Sequence, residues 1–104
     1  MEKSYYAIVP ASVRYDEKLC PNAKLLYGEI TALCNDKGYC WANNRYFSVL
    51  YKVSVRSVIN WIRELETANH IVISTENENS KRYIMLTDDV PYNTYRRKKT
   101  SRTP

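Results

Sequence analysis

A regular apolar pattern in the middle of the chain, followed at once by a change of period, constrains the fold most strongly. Five apolar residues recur at offsets of 0, 3, 4, 7 and 10, the spacing of one face of an α-helix: Val55, Val58, Ile59, Ile62 and Leu65. Segment 71–75 is then rich in β-branched residues, and the polar turn ENENS separates it from a second predicted strand over 81–86. We therefore predict a helix over about 55–68 that buries one face, followed by a β-hairpin.

Two shorter helices are predicted upstream of this pattern. Pro21 favours the first position of a helix, which we expect to run over about 21–35 with four regularly spaced apolar residues: Leu26, Ile30, Leu33 and Cys34. Either Asn43 or Asn44 can cap a second helix that runs to about Tyr51. Its inward residues are expected to be Tyr46, Phe47 and Leu50.

Local signals mark the remaining boundaries. Ser54 can cap the third helix three residues after the second, and Asn69 suits the left-handed conformation that closes helices. The segment 39–41 is long enough only for a short strand or an extended link. This order of elements predicts a winged helix-turn-helix, mainly α with a small β-hairpin (α+β). A generic small α+β domain is the alternative.

The chain length allows one hydrophobic core, because 104 residues leave no room for a second. We expect an N-terminal extended arm or strand over 1–19, the winged helix-turn-helix over 20–89, and a basic, disordered tail or linker over 90–104. No apolar run is long enough to cross a bilayer, and the start MEKSYY does not resemble a signal peptide. We therefore expect a soluble, cytoplasmic protein.

The net charge of +5 is located entirely in the tail. Residues 91–104 hold five basic residues and no acidic one, whereas residues 1–90 hold 11 of each. Within the predicted domain, however, the span from Lys37 to Arg63 holds five basic residues and no acidic one. We therefore expect one basic face on a neutral domain, as attraction to a phosphate backbone requires.

The polar side of the third predicted helix carries the residue types that read DNA bases. Arg56, Ser57 and Asn60 lie in its N-terminal part, the part of a recognition helix that enters the major groove, and Arg63 follows on the same side. An ordinary solvated helix surface is the alternative interpretation. Trp61 lies at the edge of the apolar stripe, and we expect it and Trp41 to pack against the protein rather than to stack on bases.

Phosphate contacts are expected around this helix. The start of the second helix offers Asn44 and Arg45, and the hairpin offers Lys81 and Arg82, although Glu76 and Glu78 in its loop would repel DNA. The complete set of predicted DNA-contact residues is Asn44, Arg45, Lys52, Ser54, Arg56, Ser57, Asn60, Arg63, Lys81 and Arg82.

Catalytic, metal and cofactor sites are not predicted. Cys20, Cys34 and Cys40 match no paired-cysteine spacing, and the single His70 is remote from them, so we expect three reduced thiols. A chain with 2 Gly cannot build a phosphate-binding glycine loop, and no nucleophile-base-acid set is present. We therefore expect a protein that is not an enzyme and needs no cofactor.

Three segments resemble a known family: PNAKLLYGEI from Pro21, KGYCWA from Lys37, and VSVRSVINWIRELE from Val53. Together with their surroundings, over about residues 5–86, they look like the N-terminal helix-turn-helix domain of phage and plasmid replication initiators from low-GC Gram-positive bacteria. Ser54 matches the family's helix cap, and Arg56, Ser57 and Asn60 match its groove-entering positions. The chain departs from the family at position 60, often basic in relatives, and at Asn69-His70, often Gly-Tyr.

The resemblance implies sequence-specific binding of double-stranded DNA at a replication origin. Longer members of the family carry a C-terminal domain that recruits other replication proteins, so host replication proteins are possible partners of a longer form, and a stand-alone DNA binder is the alternative. A homodimer on DNA is expected, because one helix reads only a few base pairs. The competing function is a phage-encoded regulator or inhibitor that uses the winged helix as a protein-interaction module.

Overall fold

The computed structural model describes residues 7–76 and 81–87. Within them the chain forms four helices and a two-stranded antiparallel hairpin: α1 Ala11–Arg14, α2 Pro21–Lys37, α3 Asn44–Tyr51, α4 Val55–Thr67, β1 Ile71–Glu76 and β2 Lys81–Leu86. This order confirms the predicted winged helix-turn-helix. The predicted basic tail and Glu78 lie outside the described residues, as does the side chain of Glu76.

Side-chain caps and left-handed residues set the helix ends. Asn43 caps α3 by accepting a hydrogen bond from the Tyr46 amide at 2.8 Å, and Ser54 caps α4 by accepting one from the Ser57 amide at 3.1 Å. Asn69 has a φ of 65°, as predicted. The helix α2 runs two residues beyond its predicted end, because Gly38 takes the left-handed conformation that closes it.

The turn between α3 and α4 depends on a left-handed residue that the sequence did not reveal. Lys52 has a φ of 58°, and the Val53 amide then donates to the Ser48 carbonyl at 3.0 Å. The Ser48 hydroxyl donates in return to the Val53 carbonyl at 2.8 Å. These bonds fix the angle at which α4 leaves α3.

The N-terminal segment differs from the extended arm or strand expected for residues 1–19. One helical turn, α1, follows Pro10, because burying Val13 against α2 favours a folded turn there. The preceding backbone is also fixed, since the Ile8 amide donates at 3.3 Å to the Thr31 hydroxyl, which itself donates to the Gly28 carbonyl at 2.6 Å. The domain boundaries at residues 19 and 90 stay predictions.

The core lies between α2, α4 and the hairpin, with Phe47 entering from α3. The helix α4 buries three of the five residues of its predicted stripe, namely Val58, Ile62 and Leu65. The prediction that Val55 and Ile59 are buried was wrong: they are 39% and 37% exposed, because Val55 is the first residue of the helix and Ile59 lies at the edge of the stripe. Trp61 packs partly buried against the core, as predicted, whereas Trp41 is 44% exposed.

A single β-bridge joins the hairpin to the segment before α3. The amide of Cys40 donates to the Ile84 carbonyl at 2.8 Å, and the amide of Ile84 donates back at 3.0 Å. Of the two alternatives predicted for 39–41, a short strand or an extended link, the structure shows an extended segment with this one bridge at Cys40.

The three cysteines form no disulfide in the part of the chain that the structure describes. Cys34 and Cys40 are buried, whereas Cys20 is partly exposed. Burial raises the pKa of the Cys40 thiol to about 11.

Candidate nucleic-acid interface

The exposed face of α4 forms what we call the α4 ridge, consisting of Val55, Arg56, Ile59, Asn60 and Arg63. The ridge stands on the buried stripe of the same helix, which packs against α2 and α3. Three of its side chains are predicted DNA contacts, and the structure brings them together on one surface. The two apolar members are additions, because the sequence pattern had assigned them to the core.

The predicted contacts Ser54 and Ser57 are bonded to each other at the start of the ridge. Besides accepting from the Ser57 amide, the Ser54 hydroxyl donates to the Ser57 hydroxyl at 3.1 Å. Ser54 therefore acts first as the cap of α4, and the Ser57 hydroxyl keeps its hydrogen for an outside acceptor. Both residues lie where the free amides of the helix N-terminus favour an anion such as phosphate.

Two recesses flank the ridge. The first, about 160 Å³ in volume, lies between α4 and the hairpin and is lined by Asn44, Ile59, Ile62, Arg63, Glu66 and Arg82. The second, about 440 Å³, lies on the other side and is lined by Lys18, Asn60, Arg63, Glu64, Thr67 and Ala68. Arg63 lines both, so it stands at the crest of the ridge.

Lys18, which the sequence does not mark as a DNA contact, is a basic residue near the ridge. The loop that carries it is fixed by Asp16, whose carboxylate accepts from the Lys18 amide at 2.9 Å and from the His70 Nε2 at 2.7 Å. The hydrogen bond from His70, followed by the one from the Lys18 amide, lowers the pKa of Asp16. No sequence signal could have placed Lys18, because Asp16 and His70 are 54 residues apart.

Arg82 and Asn44, two predicted DNA contacts, are bound to each other. The guanidinium of Arg82 donates to Asn44 Oδ1 at 2.7 Å and to the Ala42 carbonyl at 2.8 Å. Burial lowers the pKa of Arg82, which nonetheless stays charged. This side chain therefore holds the hairpin against the start of α3, and Asn44 Oδ1 is occupied.

Glu64, which lines the second recess, is bound to the backbone at the start of α2. Its Oε1 accepts from the Cys20 amide at 2.9 Å, which caps the N-terminus of α2 with a carboxylate. Glu66 is exposed and lines the recess between α4 and the hairpin, towards the C-terminal end of α4. Both acidic residues of α4 lie in its C-terminal half, so its N-terminal half carries no acidic side chain, as expected for a surface that approaches phosphates.

The three remaining predicted contacts are exposed lysine or arginine side chains on neighbouring elements. Arg45 lies in the first turn of α3, Lys52 in the turn before α4, and Lys81 at the start of β2. Exposure leaves these side chains accessible for long-range attraction to a polyanion.

A tight turn between α3 and α4, a third helix, α2, packed against α4, and a hairpin beside α4 define a winged helix-turn-helix. Domains of this class typically bind DNA and are typically not enzymes. The chain matches the family described as Helix-turn-helix domain over residues 17–71, just over half of its length, and it belongs to that family. Comparisons with curated proteins and with solved structures each return no match. Among the described residues, no helix is long and apolar enough to span a membrane.

Proposed function

We propose that the chain binds double-stranded DNA sequence-specifically, with α4 as the recognition helix. The observation that carries this proposal is the α4 ridge, where Arg56, Asn60 and Arg63 are exposed together on a helix whose opposite face is buried. Arginine pairs with guanine and asparagine with adenine through two hydrogen bonds each, so these side chains can distinguish base pairs in the major groove. Val55 and Ile59 add apolar surface that suits the methyl group of thymine.

The phosphate contacts of the proposal come from the residues around the ridge. Arg45, Lys52, Ser54 and Ser57 would bind the backbone beside the recognition helix, and Lys81 would bind it from the hairpin. Lys18 joins them on the opposite flank of α4. Arg82 and Asn44 act in this interface mainly by holding the hairpin in place.

The biological setting that we propose is replication initiation at a phage or plasmid origin. The support is the resemblance of three segments, including the one that forms α4, to replication initiators. A homodimer on DNA is part of the proposal, because one recognition helix contacts only a few base pairs. Host replication proteins would then be partners of the assembled initiator, and the site of action would be the cytoplasm.

Selection of bound duplexes from a random pool tests the proposal most directly. We expect one enriched motif, present as repeats in the origin of the replicon that encodes the chain. With that motif, Arg56→Ala should cost about 1–3 kcal/mol of binding free energy and relax the preference at one position. Lys52→Ala should weaken binding to all sequences alike and reduce the salt slope by about 1.

Two outcomes would contradict the proposal. If Arg56→Ala loses less than about 1 kcal/mol and keeps the base preference, α4 does not read the sequence. If no duplex is bound even at low salt, the fold serves as a protein-interaction module instead, because a DNA-binding domain keeps salt-sensitive, nonspecific affinity.

A further inference from the structure

A third recess, which we call the aromatic recess, lies between the hairpin and the segment that leads into α3. It has a volume of about 380 Å³ and is lined by Tyr39, Trp41, Asn43, Lys81, Arg82 and Tyr83. Three of the six lining residues are aromatic, two are cationic, and none is acidic. The recess shares Arg82 with the recess beside α4, so it adjoins the proposed duplex-binding surface.

The aromatic rings of this recess keep surface available for a ligand. Tyr39 and Tyr83 meet edge to face, with ring centroids 5.0 Å apart and an angle of 87° between the planes. Trp41 meets Tyr46 in the same way at 5.3 Å and 67°. An edge-to-face contact covers at most one face of each ring, and Trp41 is 44% exposed. A planar ligand therefore has an indole surface on which to stack.

The polar groups of the recess favour a ligand that has acceptor atoms and negative charge. Lys81 is exposed at its edge, and Arg82 contributes a half-buried guanidinium. Asn43 uses its Oδ1 to cap α3, which leaves its amide hydrogens as donors. Donors and cations beside an aromatic surface are the combination that binds a nucleobase and its phosphate.

We propose that the aromatic recess binds an unpaired nucleotide of single-stranded DNA, with the base against Trp41 and the phosphate near Lys81. A paired base is unsuitable, because its two faces are covered by neighbouring base pairs in a duplex. A volume of about 380 Å³ lies within the range of small-ligand sites, roughly 300–1,000 Å³. This site is separate from the reading of duplex sequence by α4, and it does not depend on that function.

The test uses the full chain and fluorescently labelled oligonucleotides in an anisotropy titration. We expect the wild type to bind oligodeoxythymidine about tenfold more tightly than an abasic strand with the same number of phosphates, because stacking on one aromatic ring is of that order. Trp41→Ala should remove this difference, whereas Trp41→Phe should keep most of it. Tyr15→Ala, which removes a 70% exposed aromatic ring outside the recess, should leave it unchanged.

Equal binding of the two strands by the wild type would overturn the proposal without any variant, so the test survives a Trp41→Ala protein that fails to fold. An unchanged preference in a folded Trp41→Ala protein would also overturn it. Blunt duplex binding is measured in parallel and should stay within about twofold of wild type in Trp41→Ala. If the wild type binds no duplex, the proposed role of α4 is wrong. The comparison of the two single strands still decides whether the aromatic recess binds a nucleotide.

Discussion

Arg82 on β2 donates to the side-chain oxygen of Asn44 at the start of α3 across 2.7 Å, although the two residues are 38 positions apart. The same guanidinium donates to the Ala42 carbonyl, so two hydrogen bonds from one side chain join the hairpin to the helix-turn-helix. Charge-assisted bonds of this kind are stronger than those between neutral groups. The position of the hairpin relative to α4 therefore depends on a residue that the sequence presents as a simple DNA contact.

Replacing Arg82 with alanine should lower the free energy of unfolding by about 2 kcal/mol, because the change leaves two acceptors without their charged donor. Lys81→Ala, which removes an exposed neighbouring charge, should change it by less than about 0.5 kcal/mol. Urea denaturation measures both values. A double-mutant cycle with Asn44→Ala should give a coupling energy of at least about 0.5 kcal/mol, and additive effects would show that the bond is absent in solution.

The exposure of Ile59 predicts a contact with thymine. Once a duplex has been selected, replacing its thymines one at a time with deoxyuridine should weaken wild-type binding about fourfold at one position, since a buried methyl group contributes about 0.8 kcal/mol. Ile59→Ala should lose this sensitivity. Val49→Ala, which shortens a 66% exposed side chain on α3, should retain it. If the Ile59→Ala protein still discriminates against deoxyuridine, another residue contacts the methyl group.

The Asp16–His70 pair should make stability depend on pH in the acid range. The folded chain lowers the pKa of Asp16 below 3.8, so the unfolded chain takes up a proton first as the pH falls. The contribution of this carboxylate is therefore complete above that pH and is lost as the pH falls through the lowered pKa. Asp16→Asn should reduce stability at pH 7 and flatten the dependence below pH 3.8.

Urea denaturation at a series of pH values checks this expectation. Glu17→Gln removes a charge from the same loop without a contact to His70, and it should keep the wild-type stability at pH 7 within about 0.5 kcal/mol. An Asp16→Asn protein with the wild-type stability and pH dependence would show that the hydrogen bond to His70 contributes nothing.

Gly28 should resist substitution although it lies inside α2. A Cβ at this position would lie 2.9 Å from Ala7 Cβ and 3.2 Å from Val9 Cγ2. Such overpacking costs about 1–3 kcal/mol, which outweighs the gain of about 1 kcal/mol in helix propensity. Gly28→Ala should therefore destabilise the domain in urea denaturation, and adding Ala7→Gly should restore part of the loss.

The matched control is Leu25→Ala at a 63% exposed position of the same helix. It should change stability by less than about 0.5 kcal/mol. A Gly28→Ala protein that is more stable than wild type would mean that the segment around Ala7 does not pack on α2 in solution.

The features that sequence predicted correctly are those set by neighbours in the chain. The cap Ser54, the choice between Asn43 and Asn44 as the cap of α3, and the left-handed Asn69 follow from interactions within a few residues. The three buried apolar residues of α4 follow from its periodicity. The polar members of the α4 ridge, Arg56, Asn60 and Arg63, follow from the same periodicity, because they lie opposite the apolar residues. The exposure of the two apolar members of the ridge, Val55 and Ile59, does not, since the burial of an apolar residue at the end of a helix or at the edge of a stripe depends on what packs there.

The tertiary bonds around the interface were beyond prediction for a physical reason. Glu64 reaches the Cys20 amide over 44 positions, and Asp16 reaches His70 over 54. Pairings at such separations depend on how the helices dock, and no local pattern records that. The left-handed conformation of Lys52 could not be predicted either, because lysine has no intrinsic preference for it.

The three thiols of the domain differ in burial and should therefore differ in their reactivity towards alkylating reagents. Alkylating reagents attack thiolates. Cys40 is protected because it is buried and because its thiol, with a pKa of about 11, stays protonated at neutral pH. Cys34 is equally enclosed, whereas Cys20 reaches the surface. A maleimide dye can thus be attached at Cys20, beside α2, without any mutation. The rate at which Cys34 and Cys40 react then measures how often the core opens.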